Sequence, residues 1–164
     1  MVGAPAMSEK VPMTPEGQTR LREELDHLRK NEMPQVVKDI ATAREHGDLS
    51  ENAEYHAAKD RQGMIHARIK YLEDVLSRAE VIDPAKLSGD RVKFGAKVVL
   101  LNIETDEEVT YQIVGPEESD LKELRISVSS PLARGLIGHQ VGDEVTIKLP
   151  SGSRVYEIQE ITFG

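Results

Sequence analysis

Four carboxylates and one histidine are concentrated within ten residues of the sequence. They are Glu45, His46, Asp48, Glu51 and Glu54. Two carboxylates three residues apart, such as Asp48 and Glu51, can share Mg2+, because this cation prefers oxygen ligands in octahedral geometry and usually keeps several waters. When another molecule supplies the remaining ligands, the metal can activate water for attack on a phosphodiester. The segment is therefore a candidate for metal-assisted chemistry shared with a partner.

The same segment also has a purely structural interpretation. Residues 48–51 have the spacing of a capping box, in which Asp48 caps a helix and Glu51 reaches back to the first N–H. Acidic side chains also suit the N-terminus of a helix electrostatically. Both interpretations can hold together, because one carboxylate oxygen can cap while the other faces a metal. His46 could act as a general base, although a histidine in a turn is more often only solvated.

Three arginines accompany the acidic segment. Arg61 and Arg68 are one heptad apart, and Arg44 directly precedes Glu45. One interpretation is ion pairing between helices, with acidic residues on a facing helix as the partners. The alternative is a local basic strip that contacts a nucleic acid. The sequence leaves both open.

Helical periodicity lies on both sides of the acidic segment and predicts the elements that position it. Thr14 and Pro15 indicate an N-cap followed by proline at the first helical position. Apolar residues then recur at steps of three and four, with a shift near Pro34 that predicts a kink. The members of this stripe are Leu21, Leu25, Leu28, Val36 or Val37, Ile40 and Ala43.

A second apolar seam follows the acidic segment. It consists of Tyr55, Ala58, Gln62, Ile65, Ile69, Leu72, Leu76 and Ala79. Gln62 is its polar member, which is typical of a residue that sets register. Two helices of similar length separated by a short break containing Gly47 should fold back as an antiparallel hairpin. We therefore predict a coiled-coil hairpin over residues 13–82, with its acidic tip at 45–54.

The second half of the chain has a different pattern. Short β-branched runs predict strands at residues 97–103, 109–114, 124–128, 145–149 and 155–161. A hydroxyl cap, a proline and a closing glycine predict a short helix within residues 129–138. The acidic turns at 104–108 and 117–120 are expected to be solvated. The fold class is therefore α+β, with a small sheet domain at 91–164, a linker at 83–90 and a disordered extension at 1–12.

Composition excludes several classes of function. The chain has 164 residues and a formal charge of -8. This net negative charge argues against a protein that binds phosphate backbones over its whole surface. Cysteine is absent, which excludes disulfide frameworks and thiolate metal sites. No apolar run approaches the roughly 20 residues that a membrane helix needs. A cytoplasmic location is the resulting expectation, with no membrane partner and no small-molecule substrate.

Three motifs resemble one family. Residues 44–59 (REHGDLSENAEYHAAK) are similar to the tip signature of the bacterial Gre transcript-cleavage factors, and of their GreA branch in particular. Residues 126–138 (ISVSSPLARGLIG) resemble the signature of their C-terminal domain, and Pro12-Met13-Thr14 resembles their usual start. The resemblance implies a coiled-coil hairpin joined to an FKBP-like domain, in an accessory transcription factor that is not itself an enzyme. Binding to DNA is a further expectation of such a factor.

The resemblance also implies a mechanism and particular residues. The C-terminal domain would dock at the mouth of the secondary channel of RNA polymerase, through a surface that includes Ser130 and Pro131. The hairpin would enter the channel, and Asp48 and Glu51 would help the polymerase to hold its second catalytic Mg2+. The polymerase would then cleave the extruded 3′ end of backtracked RNA. Support at the tip is expected from Arg44 and Tyr55. The RNA-proximal basic patch is expected to contain Arg44, Arg61 and Arg68.

Two other classes of function stay open at this stage. An FKBP-like domain could be a prolyl isomerase, but such pockets are lined with aromatic residues, and the chain beyond residue 81 has only Phe94, Tyr111, Tyr156 and Phe163. The chain could instead be a non-catalytic coiled-coil regulator of the polymerase, such as an inhibitory paralogue, whose acidic tip only caps a helix. The zinc-containing proteins that bind the same channel are disfavoured by the absence of cysteine.

Overall fold

A computed structural model describes residues 9–47 and 52–164 of the chain. The chain divides into two compact units. Residues Gln18–Arg78 form a helical unit, whereas residues 9–17 and Ala79–Gly164 form a unit that contains the sheets. In the described part of the chain, no helix has the length and apolar character needed to span a membrane. The predicted α+β class is confirmed.

The helical unit is a hairpin. Helix α1 spans Pro15–His27, a π-helical turn spans Leu28–Glu32, helix α2 spans Met33–Arg44 and helix α3 spans Ala53–Ser77. Side-chain contacts join residue 43 to 52, 39 to 61 and 24 to 68, so α3 runs antiparallel to the helices before it. The buried side chains of Ala58, Ile65 and Leu72 on α3 confirm the predicted seam up to Leu72. Beyond it the prediction is wrong, because Val75 rather than Leu76 is buried and Ala79 lies in a strand. Val36 rather than Val37 continues the stripe on α2, since Val37 is half exposed.

The predicted kink near Pro34 takes the form of the π-helical turn. The N–H of Met33 donates to the carbonyl of Leu28, five residues back. Pro34 then occupies one of the first two positions of α2, directly after the π-helical turn, where its fixed φ suits a helix. One extra residue per turn rotates the following apolar residues relative to those before it. This rotation keeps Val36 and Ile40 on the buried face of the hairpin.

The other unit contains two sheets. Strand β1 (Val11–Met13) pairs in parallel with β2 (Ala79–Val81). The larger sheet has the order β5-β4-β3-β7-β6, in which only β4 and β5 are parallel. Its strands are β3 (Ala96–Asn102), β4 (Glu107–Val114), β5 (Arg125–Ser127), β6 (Glu144–Leu149) and β7 (Gly152–Phe163). Helix α4 (Pro131–Leu136) lies between β5 and β6 in the sequence. Each of the five predicted strands and the predicted short helix is confirmed.

One core fills this unit between α4 and the larger sheet. Its buried residues are Val92, Ala96, Val98, Leu100, Ile113, Ile126, Ala133, Leu136, Val145, Ile147, Tyr156 and Ile158. Gly135 allows α4 to lie directly on β6, because a Cβ at this position would overlap the side chain of Ile147. The alternation of buried and exposed residues along β3 and β6 is that of strands with one face on the core.

Two expectations from the sequence are wrong in this unit. Val11 and Pro12 form part of β1, so the expected disorder of residues 1–12 does not extend to them; residues 1–8 lie outside the described part. The turn at 117–120 is not fully solvated, because Glu118 is buried and only 8% exposed. In both cases a contact distant in sequence replaced the local preference, since β1 pairs with β2 and Glu118 binds Thr14.

Candidate functional site at the hairpin tip

The hairpin tip is built from the end of α2 and the start of α3. Helix α2 ends at Arg44, and Glu45 and His46 continue into a turn through backbone bonds to Thr42 and Ala43, each 3.1 Å long. Gly47 follows with a φ of 100°, which glycine adopts without a Cβ clash. The two predicted catalytic acids, Asp48 and Glu51, lie outside the described residues. Among the residues described, no group of three or more acidic or histidine side chains could hold a metal ion.

Asn52 joins the two helices at the tip. Its side-chain Oδ1 accepts the backbone N–H of Tyr55 at 3.0 Å, which makes Asn52 the N-cap of α3. Its Nδ2 donates to the carbonyl of Ala43 at 2.6 Å, near the end of α2. One side chain therefore satisfies an orphan donor of α3 and adds a second bond to a carbonyl near the end of α2. The capping-box interpretation placed a cap at Asp48, which lies outside the described residues, whereas the N-cap of α3 is Asn52.

Arg44 and Tyr55, the predicted tip-support pair, do come together. The guanidinium carbon of Arg44 lies 6.0 Å from the ring centroid of Tyr55, at the outer limit of a cation–π contact. The ring of His56 meets that of Tyr55 edge-on, with centroids 5.4 Å apart. Beside them, His46 Nδ1 lies 3.4 Å from an oxygen of Glu54. The tip is therefore bordered by paired aromatic, basic and acidic groups.

The three arginines of the predicted basic patch do not form one strip. Arg61 donates to Asp39 at 3.0 Å, and Arg68 makes a two-pronged bond to Glu24 at 2.8 and 2.9 Å. These bonds confirm the interpretation as ion pairs between helices, and each pair reduces the positive charge that a phosphate would encounter. The bond from Arg68 also lowers the pKa of Glu24 below its ordinary value, against a smaller opposing effect of burial.

A basic groove does exist on the hairpin, but it includes a residue that the sequence analysis missed. Two cavities of about 220 and 600 Å3 share Lys59 and Gln62 in their walls, and Arg44 and His66 contribute to them as well. None of the described residues that line these two cavities is acidic. A separate cavity of about 370 Å3 at the tip is lined by Asp39 and Glu54 together with Arg61. Lys59 follows Tyr55 by four residues and so shares its helix face, but this spacing alone does not place it beside Arg44.

The predicted docking residues lie in the sheet-containing unit. Ser130 is the N-cap of α4, and its hydroxyl accepts the backbone N–H of Ala133 at 3.3 Å. Pro131 begins the helix and is exposed. The hydroxyl of Ser127 lies 2.9 Å from that of Ser129, so the segment before α4 is held by side-chain bonds on both sides. Ser130 therefore has a structural role of its own in starting α4.

Comparison with known proteins gives the family. A model described as "Transcription elongation factor, N-terminal" matches residues 11–81, and one described as "Transcription elongation factor, GreA/GreB, C-term" matches residues 87–163. The chain belongs to the GreA/GreB family of bacterial transcription elongation factors. It is thus an accessory factor that acts with RNA polymerase, rather than an enzyme in its own right.

Individual relatives cover nearly the whole chain. Transcription elongation factor GreA of Rhodospirillum rubrum is 57% identical over 156 residues, which are 95% of this chain and 99% of the relative. GreA of Syntrophotalea carbinolica is 57% identical over 157 residues, which are 96% of this chain and 99% of that protein. The solved structure of GreA factor homolog 1 (Gfh1) of Thermus thermophilus is 31% identical, with a TM-score of 0.43, and covers 93% of this chain and 99% of its own.

Proposed function

We propose that this elongation factor stimulates the cleavage of backtracked RNA by RNA polymerase. In this proposal the hairpin enters the secondary channel of the polymerase, and Asp48 and Glu51 share a Mg2+ with the enzyme. The sheet-containing unit, including the segment at Ser130 and Pro131, docks on the outside of the channel. Membership of the GreA/GreB family supports the elongation role, and the arrangement of the tip supports the more specific reaction.

The observation that carries the proposal is the position of Asn52. An acidic pair at the start of a helix is most simply explained by capping. Here Asn52 supplies the N-cap of α3, and its amide also bonds the carbonyl of Ala43 on α2. The cap therefore does not require Asp48 or Glu51. The presence of these two acids just before it in the sequence is better explained by a role in binding a metal.

The donor set suits Mg2+ by type. Two carboxylates offer hard oxygen ligands, but they fill only part of an octahedral shell, so the polymerase must supply the rest. Bound in this way, the cation would lower the pKa of a coordinated water and stabilise the charge that develops on the phosphate. The contribution of this chain is to present two carboxylates at the end of a hairpin whose two helices are tied together by Asn52.

The basic groove supports the placement of RNA near these acids. Arg44 and Lys59 line it, and none of its other described lining residues is acidic, so it favours phosphate groups over cations. Arg44 also contacts Tyr55, which restrains its guanidinium close to the tip. Arg61 and Arg68 are paired with acids of the facing helices, which makes them weaker candidates for RNA binding than Lys59.

Stalled, backtracked transcription complexes provide the test. Addition of the factor should release short 3′ RNA fragments, and Asp48→Asn or Glu51→Gln should slow that release by about 100-fold or more, as expected for loss of a shared metal ligand. The matched control is Glu45→Gln, which removes one negative charge from the same tip and should retain cleavage. All three variants should compete for polymerase as the unmodified factor does.

The same assay distinguishes the contributions of the basic side chains to RNA binding. Lys59→Ala should raise the concentration of factor needed for half-maximal cleavage more than Arg61→Ala does, because Arg61 is already neutralised by Asp39. Undiminished cleavage by both Asp48→Asn and Glu51→Gln would contradict the metal role. A factor that binds polymerase but never stimulates cleavage would instead be a non-catalytic or inhibitory regulator.

A further inference from the structure

Glu118 is a buried acidic side chain of the sheet-containing unit and is only 8% exposed. One of its carboxylate oxygens accepts the backbone N–H groups of Thr14 and Gly115 at 2.9 and 3.2 Å, and the other accepts the hydroxyl of Thr14. Thr14 is itself only 3% exposed, and 104 residues separate it from Glu118. A carboxylate with this many bonds to a distant segment is expected to hold that segment in place.

The partner segment is the beginning of α1. Thr14 is its N-cap, because the hydroxyl of Thr14 accepts the backbone N–H of Gly17 at 3.1 Å. In a local capping box, an acidic residue at the third helical position bonds the backbone N–H of the cap residue. Gly17 occupies that position and has no side chain. Glu118 fills the space where its side chain would stand, since a Cβ on Gly17 would overlap the Glu118 carboxyl group.

A second close approach lies beside the first. The carbonyl of Pro12 lies so near Gly115 that a Cβ on this glycine would overlap it. The carbonyl of Met13 accepts the backbone N–H of Ile82 at 2.8 Å, and β1 pairs with β2. Residues 11–17 are therefore held to this unit by strand pairing on one side and by Glu118 on the other.

We propose that Glu118 is a positioning residue that completes the capping box of α1 from a distant part of the chain and thereby fixes the root of the hairpin's first helix on the sheet-containing unit. Its effect on RNA cleavage rests on the function proposed above. A glutamate placed locally at position 17 would cap the helix equally well but would leave residues 11–17 untethered to the turn that carries Glu118. The two roles, capping and tethering, can therefore be separated by experiment.

Amide hydrogen exchange on the full-length chain tests the tether directly. Glu118→Ala should accelerate exchange at the amides of Thr14 and Ile82 by about tenfold or more, because charge-assisted bonds stabilise more than neutral ones. Glu118→Gln should have an intermediate effect. Its amide oxygen can still accept hydrogen bonds, but its amide nitrogen cannot replace the second accepting oxygen of the carboxylate. Glu123→Ala, an exposed acid in the neighbouring turn, serves as the control and should change neither amide.

The double variant Gly17→Glu with Glu118→Ala distinguishes capping from tethering. It should restore slow exchange at Thr14 but not at Ile82. Glu118→Ala alone should lower the stimulation of RNA cleavage, because the root of α1 is no longer held, and the double variant should not restore it. Recovery of full cleavage by the double variant, or unchanged exchange at both amides in Glu118→Ala, would overturn the inference. If the unmodified factor fails to stimulate cleavage at all, the proposed function fails, and the exchange measurements still decide the tether.

Discussion

The helical hairpin and the sheet-containing unit bury their apolar side chains in different ways. Near its tip the hairpin has a core of four buried residues, namely Val36, Ile40, Ala58 and Ile65. The sheet-containing unit has a core of twelve, seven of which have no exposed surface at all. The outer faces of the helices are polar, and ion pairs such as Arg68–Glu24 join them across the seam. The hairpin thus has a single layer of helices, whereas the other unit has two layers, a helix and a sheet.

This difference indicates how the molecule divides its tasks. A single seam leaves residues near the tip exposed, among them Arg44, Glu54 and Lys59. It also provides few contacts that resist local opening of the helices. In the hairpin, caps and single side chains such as Asn52 should therefore contribute a large share of stability. In the sheet-containing unit, the core should dominate.

The largest effect should come from the deeper core. Leu100→Ala, at a position with no exposed surface, should lower the free energy of unfolding by about 3 kcal/mol or more, because the enclosed site cannot collapse around the cavity. Ile65→Ala in the hairpin should cost about 2 kcal/mol, because one side of the seam can relax toward solvent.

Chemical denaturation combined with native-state hydrogen exchange measures these losses unit by unit. Leu100→Ala should accelerate opening of the sheet amides and Ile65→Ala that of the hairpin amides. An equal loss for the two substitutions would break the contrast between a one-layer and a two-layer core.

An intermediate effect is expected from the asparagine at the tip. Asn52→Ala removes the N-cap of α3 and the bond to Ala43, so it should destabilise the hairpin by about 1 kcal/mol. Asn102→Ala is the matched change in the other unit, where the side-chain oxygen accepts the backbone N–H groups of Glu104 and Thr105 in the turn after β3. Exchange rates of amides near the tip should rise in Asn52→Ala and stay unchanged in Asn102→Ala.

The smallest effect should come from the ion pair between Glu24 and Arg68. Both side chains are about 40% exposed, so solvent screens the pair and its contribution should be below about 1 kcal/mol. The bond from Arg68 lowers the pKa of Glu24 in the folded chain. Its stabilisation is therefore present above the unfolded pKa of about 4.3 and is lost as the pH falls through the lowered value.

Denaturation at several pH values tests this sign. The stability difference between the unmodified chain and Glu24→Gln should be larger at neutral pH than at pH values below the lowered pKa, and high salt should reduce it at neutral pH. A difference that grows on acidification would contradict the assigned direction.

Much of the fold was predictable because its signals are local. The steps of three and four from Leu21 to Ala43 and from Tyr55 to Leu72 predicted the helices, and the β-branched runs predicted all five strands of the larger sheet. The residues that form the basic groove were harder to predict from the sequence. Arg61 and Arg68 have the spacing of a strip, yet each meets an acid on a facing helix, and only the packing of the hairpin reveals that Lys59 lies beside Arg44 instead.

By itself the sequence determined the hairpin, the sheet, the acidic tip and the family resemblance, because periodicity, turn residues and motifs act over neighbouring positions. Tertiary structure alone decided three things: that Asn52 ties the ends of α2 and α3, that Lys59 rather than Arg61 or Arg68 lines the basic groove, and that Glu118 binds Thr14. The physical reason is the same in each case. A hydrogen bond or ion pair depends on which groups the fold brings within about 3 Å, and a one-dimensional pattern does not encode that distance.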